Sequence, residues 1–191
     1  DFPISNYIPV ELNLKAAIDG IYDPDFNKLN IKDTLRVFLR NVSYPFSIID
    51  SAKTEIDSVT MTGKFRFYNT PPGRYYIVVK GRNSLETWSA EGGVTFNAGA
   101  SVEYDFTKNI NKAYGKNLIL KGSNYCIYSS DVNQDGAIDL NDNLNTLNDA
   151  NNFMMGYLNT DINGDNVVDL EDISISFTSI SYTVEIARPY Y

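Results

Sequence analysis

The chain of 191 residues carries 16 Lys+Arg against 24 Asp+Glu, no histidine and one cysteine, with 43% hydrophobic and 13% aromatic residues. That apolar fraction can build one large domain or two small ones, and no run of about 18 apolar residues offers a membrane span. Without histidine, and with Cys126 alone, the usual triad, zinc and disulfide chemistries lose their residues, so the composition argues against an enzyme.

The start, Asp1-Phe2-Pro3, lacks a basic segment followed by an apolar one, which implies that any signal peptide has already been removed. Val10 to Ala16, Leu35 to Arg40, Lys64 to Tyr68 and Ser101 to Phe106 alternate, and Tyr75 to Lys80 is a β-branched and aromatic run. Period-two patterning predicts strands with one face on a core. Asp23-Pro24-Asp25, Pro71-Pro72-Gly73, Gly81-Arg82-Asn83, Gly92-Gly93 and Asn97-Ala98-Gly99 supply turns between them. The fold class expected is mainly β with a small α module: an antiparallel, Ig-like sandwich over residues 1–122, then a second domain over 123–191.

Two single residues are read as structural. Trp88, the sole tryptophan, is expected in the core rather than as a sugar platform, and Cys126, in an apolar segment, as an inert buried thiol. The stretch from Gly63 through Pro71-Pro72-Gly73 to Val79 resembles the strand, Pro-Gly turn and strand of prealbumin-like domains of bacterial surface proteins. That resemblance implies a non-catalytic spacer or stalk, sometimes with carbohydrate affinity.

Charge divides the chain more sharply than patterning does. Residues 1–122 hold 15 bases and 13 acids, while residues 123–191 hold 11 acids and the single base Arg188, a net of −10. Such a block repels phosphate backbones, which argues against a nucleic-acid partner, and it must stay solvated or acquire cations.

Two segments 30 residues apart repeat one pattern: Asp131-Val132-Asn133-Gln134-Asp135-Gly136-Ala137-Ile138-Asp139-Leu140-Asn141-Asp142 and Asp161-Ile162-Asn163-Gly164-Asp165-Asn166-Val167-Val168-Asp169-Leu170-Glu171-Asp172. Oxygen side chains fall at positions 1, 3, 5, 9 and 12 of each, the spacing of the EF-hand calcium loop. The candidate ligands are Asp131, Asn133, Asp135, Asp139 and Asp142 with the carbonyl of Ala137, then Asp161, Asn163, Asp165, Asp169 and Asp172 with that of Val167. Ca²⁺ wants six to eight oxygens, and alternate residues of a wrapping chain can present them. Gly136 and Asn166 suit the sharp turn at position 6. Apolar Ile138 and Val168 at position 8 are expected to couple the loops through a short strand pair. Two Ca²⁺ ions would offset four of the excess negative charges.

The segment before the first loop, Asn124 to Ser130, is β-like, so helices are expected only after each loop, from Asn143 and Ile173. A sensor with two helices per loop and a Met-rich groove is therefore not expected, and Met154 and Met155 are read as core fillers. One loop and one helix, duplicated, resembles the dockerin module of cellulosomal proteins. A sandwich directly before it resembles the X-module–dockerin pairs of cellulosomal scaffolds. The resemblance implies a secreted, bacterial cell-surface protein whose partner is a cohesin-like domain, with contacts at Leu140, Asn141, Leu170 and Glu171. It departs from the family in the alternating, β-branched Ile173–Ile186 segment, which reads as helix or strand equally well.

The alternative is a calcium-dependent structural subunit of a filament, tube or surface layer, whose partner is further copies of itself. Phe2–Ile8, Ile173–Ile186 and Tyr190-Tyr191 would then pair with a neighbour's sheet edge. A weaker third reading, a carbohydrate-binding accessory, rests on Trp88 and the 14 tyrosines.

Overall fold

Alternation at Val10–Lys15 becomes strand β1, with Val10, Leu12 and Leu14 wholly buried. In chain order there follow β2 (Tyr22–Asp23), β3 (Lys28–Leu29), β4 (Asp33–Asn41), β5 (Ile48–Ile56), β6 (Thr62–Phe67) and β7 (Gly73–Lys80). Then come β8 (Thr87–Trp88), β9 (Val94–Phe96), β10 (Ser101–Asp105), β11 (Ile119–Lys121), β12 (Asn124–Cys126) and the helices α1 (Leu140–Asn151) and α2 (Leu170–Ile180). This is a computed structural model, and it describes residues 8–190. Most of Phe2–Ile8 and Tyr191 lie outside the described residues.

Two sheets face each other. One runs β10-β1-β6, the other β5-β4-β7 with β8 and β9 both paired to β7. In the first, Leu12 stands opposite Phe65 and Val102; in the second, Val37 stands opposite Ala52 and Val79. The inward sets Leu12, Leu14, Leu35, Val37, Leu39, Phe65, Phe67, Ile77 and Val79 form one core. The antiparallel expectation fails where β1 and β10 run parallel and at the parallel bridge between Ile18 and Ile127. The charged, half-exposed strand β5 also went unread, because its Asp50-Ser51-Ala52-Lys53-Thr54-Glu55 carries little apolar signal.

The continuous apolar run of β7 has a structural cause. Its inward residues join the main core, while Tyr76 and Val78 on its other face join Trp88, packed by Phe38, Phe46, Tyr114 and Ile186. A strand covered on both faces loses its alternation. Trp88 is 2% exposed, as expected, and its Nε1 donates to Glu86 at 2.8 Å. Cys126 is buried too, and desolvation pushes its thiol up to about 12, so the thiolate is scarce at neutral pH.

β11 and β12 pair as a hairpin around Gly122, and Cys126 and Ile127 belong to the sandwich core. From there the chain enters the acidic segment without leaving the sandwich surface. Gly20 allows that approach: a Cβ there would meet Ile162 Cγ2 at 2.6 Å.

Candidate functional site

Both repeated segments fold into one hydrogen-bonded turn system. In the first loop, Asn133 Oδ1 accepts from the Asp135 amide at 2.9 Å and Asp135 Oδ1 from the Ala137 amide at 3.0 Å. In the second, Asn163 Oδ1 accepts from Asp165 and Asp165 Oδ1 from Val167, both at 2.9 Å. Gly136 (φ +94°) and Asn166 (φ +70°) occupy the left-handed turn predicted at position 6.

Positions 9 and 12 of each segment cap the helix that follows. Asp139 caps α1 by accepting from the Asn141 amide at 2.7 Å, and Asp142 reaches back to the Asp139 amide at 2.9 Å. Asp169 and Asp172 repeat that reciprocal cap on α2. The helices therefore start at Leu140 and Leu170, three residues earlier than the sequence suggested. The other oxygen of Asp142 accepts from the Val132 and Asn133 amides at 2.9 and 3.2 Å; that of Asp172 accepts from Ile162 and Asn163 at 2.7 and 3.1 Å. A short Asp suffices because these amides lie close by.

Four of the predicted ligands, Asp131, Asp142, Asp161 and Asp172, are fully buried. Desolvation raises all four carboxyls, that of Asp131 to about 6, with Asp142 and Asp135 adding to it against the Gly136 amide. Asp161 has three amide partners, Gly164, Asp165 and Asn166, at 3.0–3.3 Å. Asp131 has only the Gly136 amide on Oδ1, at 3.5 Å, and its Oδ2 is buried with no partner. Asn133, Asp135, Asp165 and the flanking Asp139 and Asp169 lie nearer solvent. Among the described residues no three acidic side chains converge as a ready metal cage; the loops are closed on their own amides.

The expected strand pair between the loops is replaced by another arrangement. Ile138 donates to Val184 O at 3.0 Å and Ile186 to Gly136 O at 2.9 Å, while Val168 donates to Met154 O at 3.0 Å and Gly156 to Asn166 O at 2.8 Å. Each loop is thus bridged by the chain that leaves the other loop's helix. The isolated bridges Ala137–Glu185 and Met155–Val167 mark the two equivalent places. This cross-over ties the halves together and explains why Ile173–Ile186 read ambiguously: it is helix to Ile180 and extended after Thr183.

Both helices are inverted in polarity. α1 buries Asp142, Asn143 and Thr146 and exposes Leu140, Leu144 and Leu147. α2 buries Asp172, Ser176 and Ser179 and exposes Leu170 (80%) and Phe177 (70%). Their polar faces serve the loops and each other; Asn143 Nδ2, for example, donates to Ile173 O at 3.4 Å. A groove of about 420 Å³ between them is lined by Leu147, Phe153, Met155, Val167, Leu170 and Ile173. Met154 and Met155 are exposed, not core fillers, because the bridge to the second loop holds them at the surface. The contact residues implied by the resemblance, Leu140, Asn141, Leu170 and Glu171, are all exposed.

Sequence reasoning missed the clamp that the sandwich lays on the loops. Arg82, read only as part of a turn, is buried 3.9 Å from both Asp33 Oδ2 and Asp161 Oδ2, and its guanidinium lies 4.5 Å from the centre of the Tyr157 ring. Asn83 Nδ2 donates to Asn159 O at 2.9 Å, and Gln134 Nε2 to Ser84 O at 3.2 Å. Nothing in the spacing of a Gly-Arg-Asn turn marks a partner about eighty positions away; only the shortage of bases in the acidic segment hints that cations must be supplied from outside it.

No family model matches the chain, and no curated protein matches it significantly. Two solved structures align with 95% of this chain and 96% of their own at 16% identity and a TM-score of 0.47. They are an N-terminal and a C-terminal interface mutant of a type II cohesin–X-dockerin complex from Acetivibrio cellulolyticus. Agreement at that level is too low to transfer a fold or a function.

Proposed function

We propose that the chain is a non-catalytic, calcium-stabilised extracellular docking module. In it, a sandwich over residues 1–122 presents a dockerin-like pair of loops and helices over residues 123–191. The observation that carries this reading is the inverted polarity of α1 and α2. Surface helices of a free-standing domain turn their apolar stripe to the core. Here Leu140, Leu144, Leu147, Leu170 and Phe177 form an outward stripe, as an interface requires. A cohesin-like domain or another copy of the chain would cover it.

Calcium enters through the loops. The donor set is all oxygen, the chemistry of a hard divalent ion. Asp131 Oδ2, buried without a partner, is the kind of group that stays ionised only beside a cation. Asp131, Asn133, Asp135, Asp139, Asp142 and the Ala137 carbonyl would hold one ion. Asp161, Asn163, Asp165, Asp169, Asp172 and the Val167 carbonyl would hold the other. Its role would be to neutralise the loops and so fix the helix starts that display the stripe.

Calorimetric titration is expected to give two Ca²⁺ per chain; one or none would overturn the paired-loop reading. Replacing Leu147 and Phe177 together with Ser should abolish capture of a cohesin-type partner. Because both side chains are exposed, calcium stoichiometry should be kept and the melting temperature should move little. Loss of fold and calcium binding together would place these residues in the core. Ordered polymers by electron microscopy, formed only with calcium and lost in the same double mutant, would assign the stripe to self-assembly.

A further inference from the structure

Residues 123–191 contain one cation, Arg188, and it does not serve the acidic loops. The extended tail after α2 carries it across the sandwich, where it lines a cavity of about 350 Å³ together with Arg40, Phe46, Trp88 and Tyr190. Neither guanidinium forms an ion pair among the described residues. Among the described residues no acidic side chain lines the cavity. Glu86, which accepts from Trp88 Nε1, is already met by Lys80 at 3.8 Å. In a chain of net charge −8, two arginines far apart in sequence, brought to one hollow with no acidic partner among the described residues, require an explanation.

Arg40 sharpens the case. Its Nη1 donates to Phe46 O at 3.2 Å, its guanidinium carbon lies 5.3 Å from the Trp88 ring centre, and its Nε is buried with no partner. A bound anion beside the guanidinium would supply the counter-charge that the described residues do not. The guanidinium fork matches a carboxylate's two oxygens. Beside it stand the half-buried Phe46, which meets the buried Trp88 edge-on at 6.2 Å, and Tyr190, exposed at the rim, so the accessible wall offered by Phe46 and Tyr190 is aromatic and suits a flat or ring-shaped body. The volume is that of a small-ligand site.

We propose that this cavity binds a carboxylate carried on a six-membered ring, with Arg40 and Arg188 holding the carboxylate and the aromatic wall taking the ring. Two sources share that chemistry, an acidic sugar residue and an aromatic acid. The site is separate from the loops and from the helical stripe, so it stands or falls independently of the docking function.

Trp88 is the only tryptophan, so its fluorescence reports on the cavity. The full chain, in calcium buffer, is titrated with a galacturonate dimer, benzoate, the uncharged galactose dimer and acetate. One of the two ring acids should saturate with a dissociation constant of about a millimolar or below, and which one does so identifies the ring. Galactose dimer and acetate should not saturate. Arg188→Gln should weaken binding about tenfold without moving the thermal midpoint, since Arg188 is exposed and has no ion pair among the described residues; Arg40→Gln should do the same to binding. The proposal is overturned if neither ring acid saturates, if the neutral dimer or acetate binds as well as the acids, or if Arg188→Gln binds unchanged.

Discussion

Chelation of divalent cations is expected to melt α1, α2 and both loops while the sandwich keeps its strands. Nine aspartates fall between residues 131 and 172, and four of them are buried. A buried carboxylate without a counter-ion is costly, and repulsion among several adds to the cost. A site loaded at a hundred times its dissociation constant contributes about 2.7 kcal/mol of stability. Two such sites would supply about 5 kcal/mol, comparable to the whole stability of a small domain. The sandwich has its own core around Leu12, Val37, Phe65 and Val79 and needs none of this.

Trp88 supplies a second readout of the same event. Ile186, which packs on the Trp88 cluster, is held by its bond to Gly136 O of the first loop. Melting the loops releases that cover, so chelation should red-shift the tryptophan emission as the helical circular dichroism falls, and calcium should restore both. If neither signal changes in chelator, the loops are closed by their own amides alone and calcium is peripheral to the fold.

How much of this was legible depended on how local the cause was. β1, β4, β6 and β10 were readable because one face of each packs inward and the alternation records it, and β7 because its β-branched and aromatic run is covered on both faces. β5 was not, since polar residues dominate it and its place comes from pairing with β4. The turn geometry of the two repeated segments was legible because Asx turns act over two or three positions, as at Asn133 and Asp135. The outward polarity of the helices was not. It follows from Asp142 and Asp172 being drawn inward by the loop amides, which turns Thr146 and Ser176, one turn further on, inward as well, and a helical wheel alone would have turned Leu140, Leu144 and Leu147 to the core. The crossed bridging of the loops is also non-local, joining Gly136 to Ile186 and Asn166 to Gly156.

Arg82→Met is expected to destabilise the junction by about 3–5 kcal/mol, the usual result of removing one partner of a buried ion pair. The Arg82 side chain is 4% exposed and those of Asp33 and Asp161 are 1% exposed. At 3.9 Å from each carboxylate, with its nitrogens unmatched by hydrogen bonds, the guanidinium acts through charge and through its stacking on Tyr157. Methionine keeps much of the volume and removes the charge, leaving two buried carboxylates that both need a counter-ion. Asp161 begins the second loop, so a Ca²⁺ bound there would meet one of them; Asp33 would retain only the Tyr157 hydroxyl and the Thr34 amide. Calcium should therefore recover part of the loss. Adding Asp33→Asn to Arg82→Met should recover much of the rest, making the double mutant more stable than the single one. Thermal melts of the three variants, each with calcium and with chelator, read all of these terms. If the double mutant is no more stable than Arg82→Met, and calcium rescues neither, then Arg82 contributes packing rather than charge and the second loop does not share its carboxylate with the sandwich.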